Sequence, residues 1–223
     1  MATRNTQFAE QEFYHVYNRG IEKRIIYKNH ADYDRFTDLL YLSNSAQPVN
    51  VRDIKKVHQT VFDYEKGDPL VAIGAYCLMP NHFHILLTPL VEDGVSTFMN
   101  KMTTSYSMYF NNKNERTGRL FEGNFKAQHA DSDEYLKYLF SYIHLNPVKL
   151  IQADWKEVGI KDVEAAWKYL QTYSYSSLGT YLETTFARKA IIDPSVFPEY
   201  FALPTDHKHQ LLDWLQQYDE HSF

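Results

Sequence analysis

Val71-Ala72-Ile73-Gly74-Ala75-Tyr76-Cys77-Leu78-Met79, Pro80-Asn81, His82-Phe83-His84-Ile85-Leu86-Leu87-Thr88 reads as a β-hairpin. The first run is apolar almost throughout, the mark of a strand buried on both sides. Pro80-Asn81 is turn chemistry, and the second run alternates. In extended chain, residues i and i+2 leave the same face. His82 and His84 therefore stand side by side, while Phe83, Ile85 and Leu87 point the other way, into a core. Neutral imidazole is the commonest protein metal ligand, so the pair supplies two donors of a catalytic metal site.

Upstream, Phe13–Arg19 alternates as a strand that Gly20 ends. Asn29 caps a helix running through Leu42, with Tyr33, Phe36, Leu39 and Leu40 as its apolar stripe. Residues 43–69 lack a pattern and read as a long loop or small insertion. Downstream, Gly94–Phe110 carries helical spacing, Asn111–Gly118 is a polar, basic turn, and Leu120–Gln128 reads as a strand. Asp131-Ser132-Asp133-Glu134 resembles a capping box opening a helix to about Leu145. Pro147 should end that helix, because the residue before proline is pushed out of helical dihedrals. The order strand, helix, strand, strand, helix, strand, helix is the ferredoxin-like (RRM-like) β-α-β-β-α-β plan with one helix added. The expected class is α+β: an antiparallel sheet with helices on one face. Residues 1–149 form that domain. Residues 150–223 form a mostly helical extension, with helical pieces around Trp155, Val163–Leu170 and Gln210–Tyr218.

The bulk numbers bound the function classes. The chain has 223 residues, 44% hydrophobic and 23% charged, as in ordinary globular proteins. A single cysteine, Cys77, excludes an internal disulfide framework and multi-thiolate zinc sites, and its apolar setting predicts a buried, inert thiol. The amino terminus lacks the apolar core of a signal peptide, and no run of eighteen apolar residues occurs, so a cytoplasmic protein without a membrane partner is expected. The net charge of −5 is unevenly placed. Residues 1–150 hold 17 basic and 17 acidic side chains, so residues 151–223, with 6 against 11, carry the whole excess. A neutral front section can still hold a basic stripe. Lys113, Arg116, Arg119 and Lys126 surround the turn before the last strand, opposed only by Glu115 and Glu122. With Arg19 and Lys23 near the first strand, they are the candidate phosphate contacts.

The helix ending at Leu145 carries Tyr142 and, four residues on, Asn146: one face with a nucleophile and a third metal donor. Tyr138 shares that face, and spacing alone does not choose between the two phenols.

Four ordered motifs carry a family resemblance. They are Tyr14-His15-Val16-Tyr17-Asn18-Arg19-Gly20, Met79-Pro80-Asn81-His82-Phe83-His84, Gly118-Arg119-Leu120-Phe121-Glu122-Gly123 and Tyr142-Ile143-His144-Leu145-Asn146-Pro147-Val148-Lys149, with Tyr173-Ser174-Tyr175-Ser176-Ser177 a weaker continuation. Together they resemble the single-tyrosine HUH transposases, above all the REP-associated tyrosine transposases. The resemblance implies a metal-dependent single-strand DNA endonuclease and strand transferase that cuts near hairpins through a 5′-phosphotyrosine intermediate. It implies Tyr142 as nucleophile, since the family's tyrosine precedes Asn-Pro by four residues, and His82, His84 and Asn146 as ligands of Mg²⁺ or Mn²⁺. Single-stranded or hairpin DNA is the implied partner, and a homodimer is one of the assemblies such proteins adopt. Asn124 departs from the often basic residue of relatives, which weakens a backbone contact there. Two rival readings follow from the same residues: a domesticated hairpin-binding protein that no longer cuts, and a metal-dependent hydrolase of small phosphoesters.

Overall fold

A computed structural model describes residues 7–184, 188–200 and 204–217 of the chain. Four strands form: β1 (Tyr14–Arg19), β2 (Val71–Met79), β3 (His82–Pro89) and β4 (Lys126–His129). They pair in the order β2-β3-β1-β4, every neighbour antiparallel, as the ferredoxin-like plan requires. The α+β class is borne out.

Helix α1 (His30–Leu42) starts at Asn29, whose side chain accepts the Asp32 N–H. The stretch 43–69 is more than loop. It holds α2 (Val51–Val57), whose Val51 and Ile54 are buried, and a short 3-10 turn at Val61–Asp63. Helix α3 (Gly94–Lys113) runs one turn further than its apolar spacing predicts. β4 is shorter than expected. Gly118 and Gly123 sit at φ of 84° and 109°, where side-chain-bearing residues are strained. They loop the chain in between, leaving a Gly20–Phe121 bridge, with Glu122 N–H donating to Arg19 O and Ile21 N–H to Leu120 O, before Lys126 joins the sheet.

Ser132 caps α4 (Asp133–Leu145) by accepting the Tyr135 N–H. The helix ends where expected, though not for the expected reason. Asn146 keeps helical dihedrals (φ −49°, ψ −40°) ahead of Pro147, and the chain tightens into a 3-10 turn over Asn146–Leu150. Proline here opens a new turn at a position tolerant of its missing N–H.

The alternation of the hairpin sets where the helices pack. Val16, Phe83, Ile85 and Leu87 face α1 and α3 in one large core. Leu86, with Ala75, Cys77 and Met79, faces α4 in a second core. The two crossover helices thus lie on one face, as the plan predicts, and the added helix covers the opposite one. β2 is buried along its whole length because both cores claim it. Its phase switches at Gly74, where the register with β3 slips by one residue: Val71 and Ile73 face the first core, as do Tyr76 and Leu78.

The extension continues as α5 (Trp155–Val158), α6 (Val163–Thr172), α7 (Leu178–Tyr181) and α8 (Pro204–Gln217). Tyr218 of the predicted last helix, like residues 219–223 and 1–6 of the two predicted segments, lies outside the described residues. Trp155, Leu170, Leu178 and Leu211 close a third core against Leu145 and Val148. The segment Tyr175–Ser177 adds itself to the open edge of β2. Leu78 N–H donates to Tyr175 O, Ser177 N–H to Tyr76 O, and Tyr76 N–H to Ser177 Oγ. An exposed strand edge is a liability in a sheet, and this one is covered. Buried His144 on α4 completes the join, its Nδ1 2.9 Å from His207 Nε2 of α8 and its Nε2 2.7 Å from Ser177 Oγ. No described helix is long and apolar enough to cross a membrane.

Candidate active site

The site lies on the α4 side of the sheet, near the Pro80-Asn81 turn. His84 pairs across with Tyr17 of β1 and His82 with Arg19, so cross-strand neighbours share the imidazoles' face. His15 stands one step along the same face. Its Nε2 is 2.8 Å from His84 Nδ1, with the rings stacked at 5.0 Å. Helix α4 crosses this face and sets the Tyr142 ring 5.6 Å from His84 and 5.9 Å from His15, edge-on to both. Tyr142 lines a cleft of about 650 Å³ together with His82, His84, Asn146, Arg19 and Lys126. Tyr138, its rival by spacing, packs against the second core and stacks on Tyr135.

Hydrogen bonds orient the metal-donor candidates. Asn81 Nδ2 donates to Lys23 O, so Asn81 Oδ1 is left to accept the Nδ1–H of His82 at 2.6 Å. That leaves the His82 Nε2 lone pair bare. In the tautomer that places its proton on Nδ1, His84 donates to His15 and likewise leaves its Nε2 bare. A metal-binding imidazole commonly has its other nitrogen engaged in this way. Asn146 donates its Nδ2 to Tyr142 O at 2.8 Å, so its carboxamide oxygen is the atom left for a ligand. Burial drives His82 and His15 each down to about 4, and for His82 the cations Lys149, Arg19 and Lys156 add to the effect. Burial takes His84 well below the ordinary histidine range too, helped by His15 and His82. All three rings are neutral at physiological pH, as metal ligation requires. Two imidazole nitrogens and one carboxamide oxygen therefore fit a divalent cation and leave positions for phosphate and water oxygens. Among the described residues, no group of three His, Cys, Asp or Glu side chains is placed to hold a metal; the third candidate donor is an amide.

The basic candidates divide. Arg19 and Lys126 line the cleft, but Glu122 binds the Arg19 guanidinium through both oxygens at 2.9 Å. Lys113 is drawn away, held by Asp32, Asn29 and Tyr109. Arg116 is tied to Asn111 and to Arg119 O, and lines a separate hollow with Arg24, Ile25 and Lys28. Arg119 is exposed and outside the cleft lining. Sequence reasoning missed His15, which backs His84 from behind the cleft, and Lys149 and Lys156 as cleft groups. Lys149 and Lys156 line the cleft, and Lys156 sets its ammonium 4.1 Å from the centre of the Tyr142 ring. Burial, then Lys149, lowers Lys156 to about 8. His15 and Lys149 sat in motifs quoted for other residues; Lys156 had no local signal. Cys77 is buried, and burial raises its thiol far above the ordinary range, as expected of an inert cysteine.

The chain matches the family model described as IS200-like transposase over residues 39–146, from the last turn of α1 to Asn146. Its fold is similar to that of a REP-associated tyrosine transposase solved bound to a REP hairpin, with a TM-score of 0.52 and 12% sequence identity. That likeness covers 91% of this chain and 92% of the other. None of the curated proteins matches. Residues 39–146, which carry both site histidines, Tyr142 and Asn146, are thus similar to the IS200-like transposases.

Proposed function

We propose that the protein is a metal-dependent single-strand DNA endonuclease and strand transferase, acting near hairpins through a 5′-phosphotyrosine intermediate. The observation that carries this reading is the meeting of Tyr142, His82, His84 and Asn146 on one cleft wall, from a hairpin and a helix about sixty residues apart in sequence. The hairpin bound to the structural relative supports the substrate class.

A phenol is a weak nucleophile at neutral pH, and a phosphodiester repels anionic attack. Mg²⁺ or Mn²⁺ held by His82, His84 and Asn146 would supply Lewis acidity at the scissile phosphate. The chain's own residues do the rest. Tyr142, held edge-on to His84 and His15, attacks phosphorus in line. Its Oη–P bond forms as the P–O3′ bond breaks, the phenolic proton passes to solvent, and the 3′-oxygen takes up a proton to leave as a hydroxyl. The phosphotyrosine ester keeps the bond energy, so the reverse attack by a 3′-hydroxyl rejoins DNA without a nucleotide cofactor. Neutral His82 and His84 have lone pairs to offer in the tautomers whose other ring protons go to Asn81 and His15.

The test is a covalent adduct. Labelled single-stranded oligonucleotides carrying a hairpin with randomised flanks, incubated with Mn²⁺, should give a protein–DNA band on denaturing gels. Tyr142→Phe should lose the band while still binding the DNA. A band that persists in Tyr142→Phe removes the nucleophile, and turnover of small phosphoesters untouched by that change would point to hydrolysis by water instead.

A further inference from the structure

Lys156 comes from the extension, ten residues beyond the family match that ends at Asn146. Its neighbour Trp155 is fully buried in the third core and anchors the short helix that carries both. From there the lysine reaches back into the cleft and lays its ammonium on the Tyr142 ring. The other cleft cations differ from it. Arg19, Lys23, Lys126 and Lys149 are exposed, and Arg19 is already bound by Glu122. Lys156 is half-buried, and among the described residues no carboxylate forms an ion pair with its ammonium. Withdrawing an ammonium from water without an acid partner is costly, and a ring face is only partial compensation. An anion arriving at the Tyr142 hydroxyl would complete its surroundings.

We propose that Lys156 is a phosphate-binding cation of the cleavage site, which the extension delivers to seat the scissile phosphate against Tyr142. This rests on the reading of Tyr142 as nucleophile. A lysine binds phosphate as a point charge, and its reach over the phenol ring places that charge beside a phosphorus under attack from the phenol oxygen. It stays protonated throughout and exchanges no proton with the substrate. It offsets the phosphate's charge as the Oη–P bond forms and remains beside the phosphotyrosine until rejoining. The extension would then be a working part of the site rather than an appendage to it.

The test uses the full chain with Lys156→Met, which keeps the stem and loses the charge, and Lys156→Arg, which restores it. Both should melt within a few degrees of the parent. Adduct formation on a cut hairpin oligonucleotide should slow about a hundredfold in Lys156→Met, the scale of losing one charge-stabilising group, and recover in part in Lys156→Arg. With a neutral methylphosphonate at the cut position, the deficit should nearly vanish. Independently of cutting, log affinity for oligo(dT) against log salt should lose about 0.7 of its slope in Lys156→Met, the value of one single-strand phosphate contact. Equal slowing on both substrates, or no slowing, overturns the proposal by leaving Lys156 a packing residue. If the parent forms no adduct, the transposase reading fails, and an unchanged salt slope would then sink the phosphate contact separately.

Discussion

On the α1 and α3 side of the sheet, Phe83, Ile85 and Leu87 are fully buried among aliphatic and aromatic neighbours. On the α4 side, Leu86 joins the second core, but His84, with His82 at the rim, has imidazoles and the Tyr142 phenol as neighbours, with the Lys156 ammonium on that phenol. One eight-residue strand builds both surfaces, since alternate side chains see different worlds. The first core braces the strand from the face opposite the cleft. A ring such as His84 keeps its orientation because its immediate neighbours, Phe83 and Ile85, are locked in a close-packed core. Precision at the cleft is borrowed from packing on the reverse face.

This contrast can be broken in graded ways. Phe83→Ala should have the largest effect, about 3–5 kcal/mol of stability, measured by urea unfolding. A loss below about 1 kcal/mol would mean the apolar face is not the framework. His82→Ala, one residue away, should do the reverse. Adduct formation should fall by about two orders of magnitude, ~2.7 kcal/mol of barrier, while the unfolding midpoint hardly moves; unchanged cutting would remove the metal role. Gly74→Ala probes the seam between the two phases of β2. A methyl there would stand 2.7–3.0 Å from three atoms of the Phe197 ring, which should cost about 1–3 kcal/mol. The added change Phe197→Leu should return part of it, and strict additivity of the two would show that they do not meet.

The most gradual effect, spread over several buried rings, is a pH dependence peculiar to the polar side. Burial lowers His15 to about 4 and His207 to about 3, and takes His84 and His144 well below the ordinary range of 6.5. Each folds neutral. Below about pH 6.5 the unfolded chain therefore binds more protons than the folded one, so stability is full above that pH and declines as pH falls toward the folded values. Each such ring contributes up to ~1.4 kcal/mol per pH unit in that window. Melting temperatures in EDTA should fall steadily from about pH 6.5 to pH 5. A flat profile would mean that protonation of these rings is tolerated in the folded chain.

Much of this was readable from residues alone where the signal is local. Asn29 and Ser132 cap helices because their side chains reach an N–H three residues on, and His82 and His84 share a face by strand geometry. Tyr142 and Asn146 lie one turn apart on α4 and its tight continuation. The basic candidates fared differently, since charge in sequence does not reveal its counter-charge. Asp32, eighty-one residues from Lys113, removes it from the cleft, and Glu122 engages Arg19 from 103 residues away. β4 came out short for a backbone reason, the positive φ of Gly118 and Gly123.

The amino-acid order by itself determined β1 and the hairpin, helices α1, α3 and α4, the face their side chains take, and the resemblance of the imidazole pair, the phenol and the carboxamide to one family's motifs. Those are properties of a chain's local periodicity and motif spacing. Only the tertiary structure decided that His15 would hold the far nitrogen of His84, that Tyr175–Ser177 would close the edge of β2, and that Lys156 would come to rest on Tyr142. Those contacts join residues far apart in sequence, and they exist only once hydrophobic burial has set the sheet, α4 and the extension against one another.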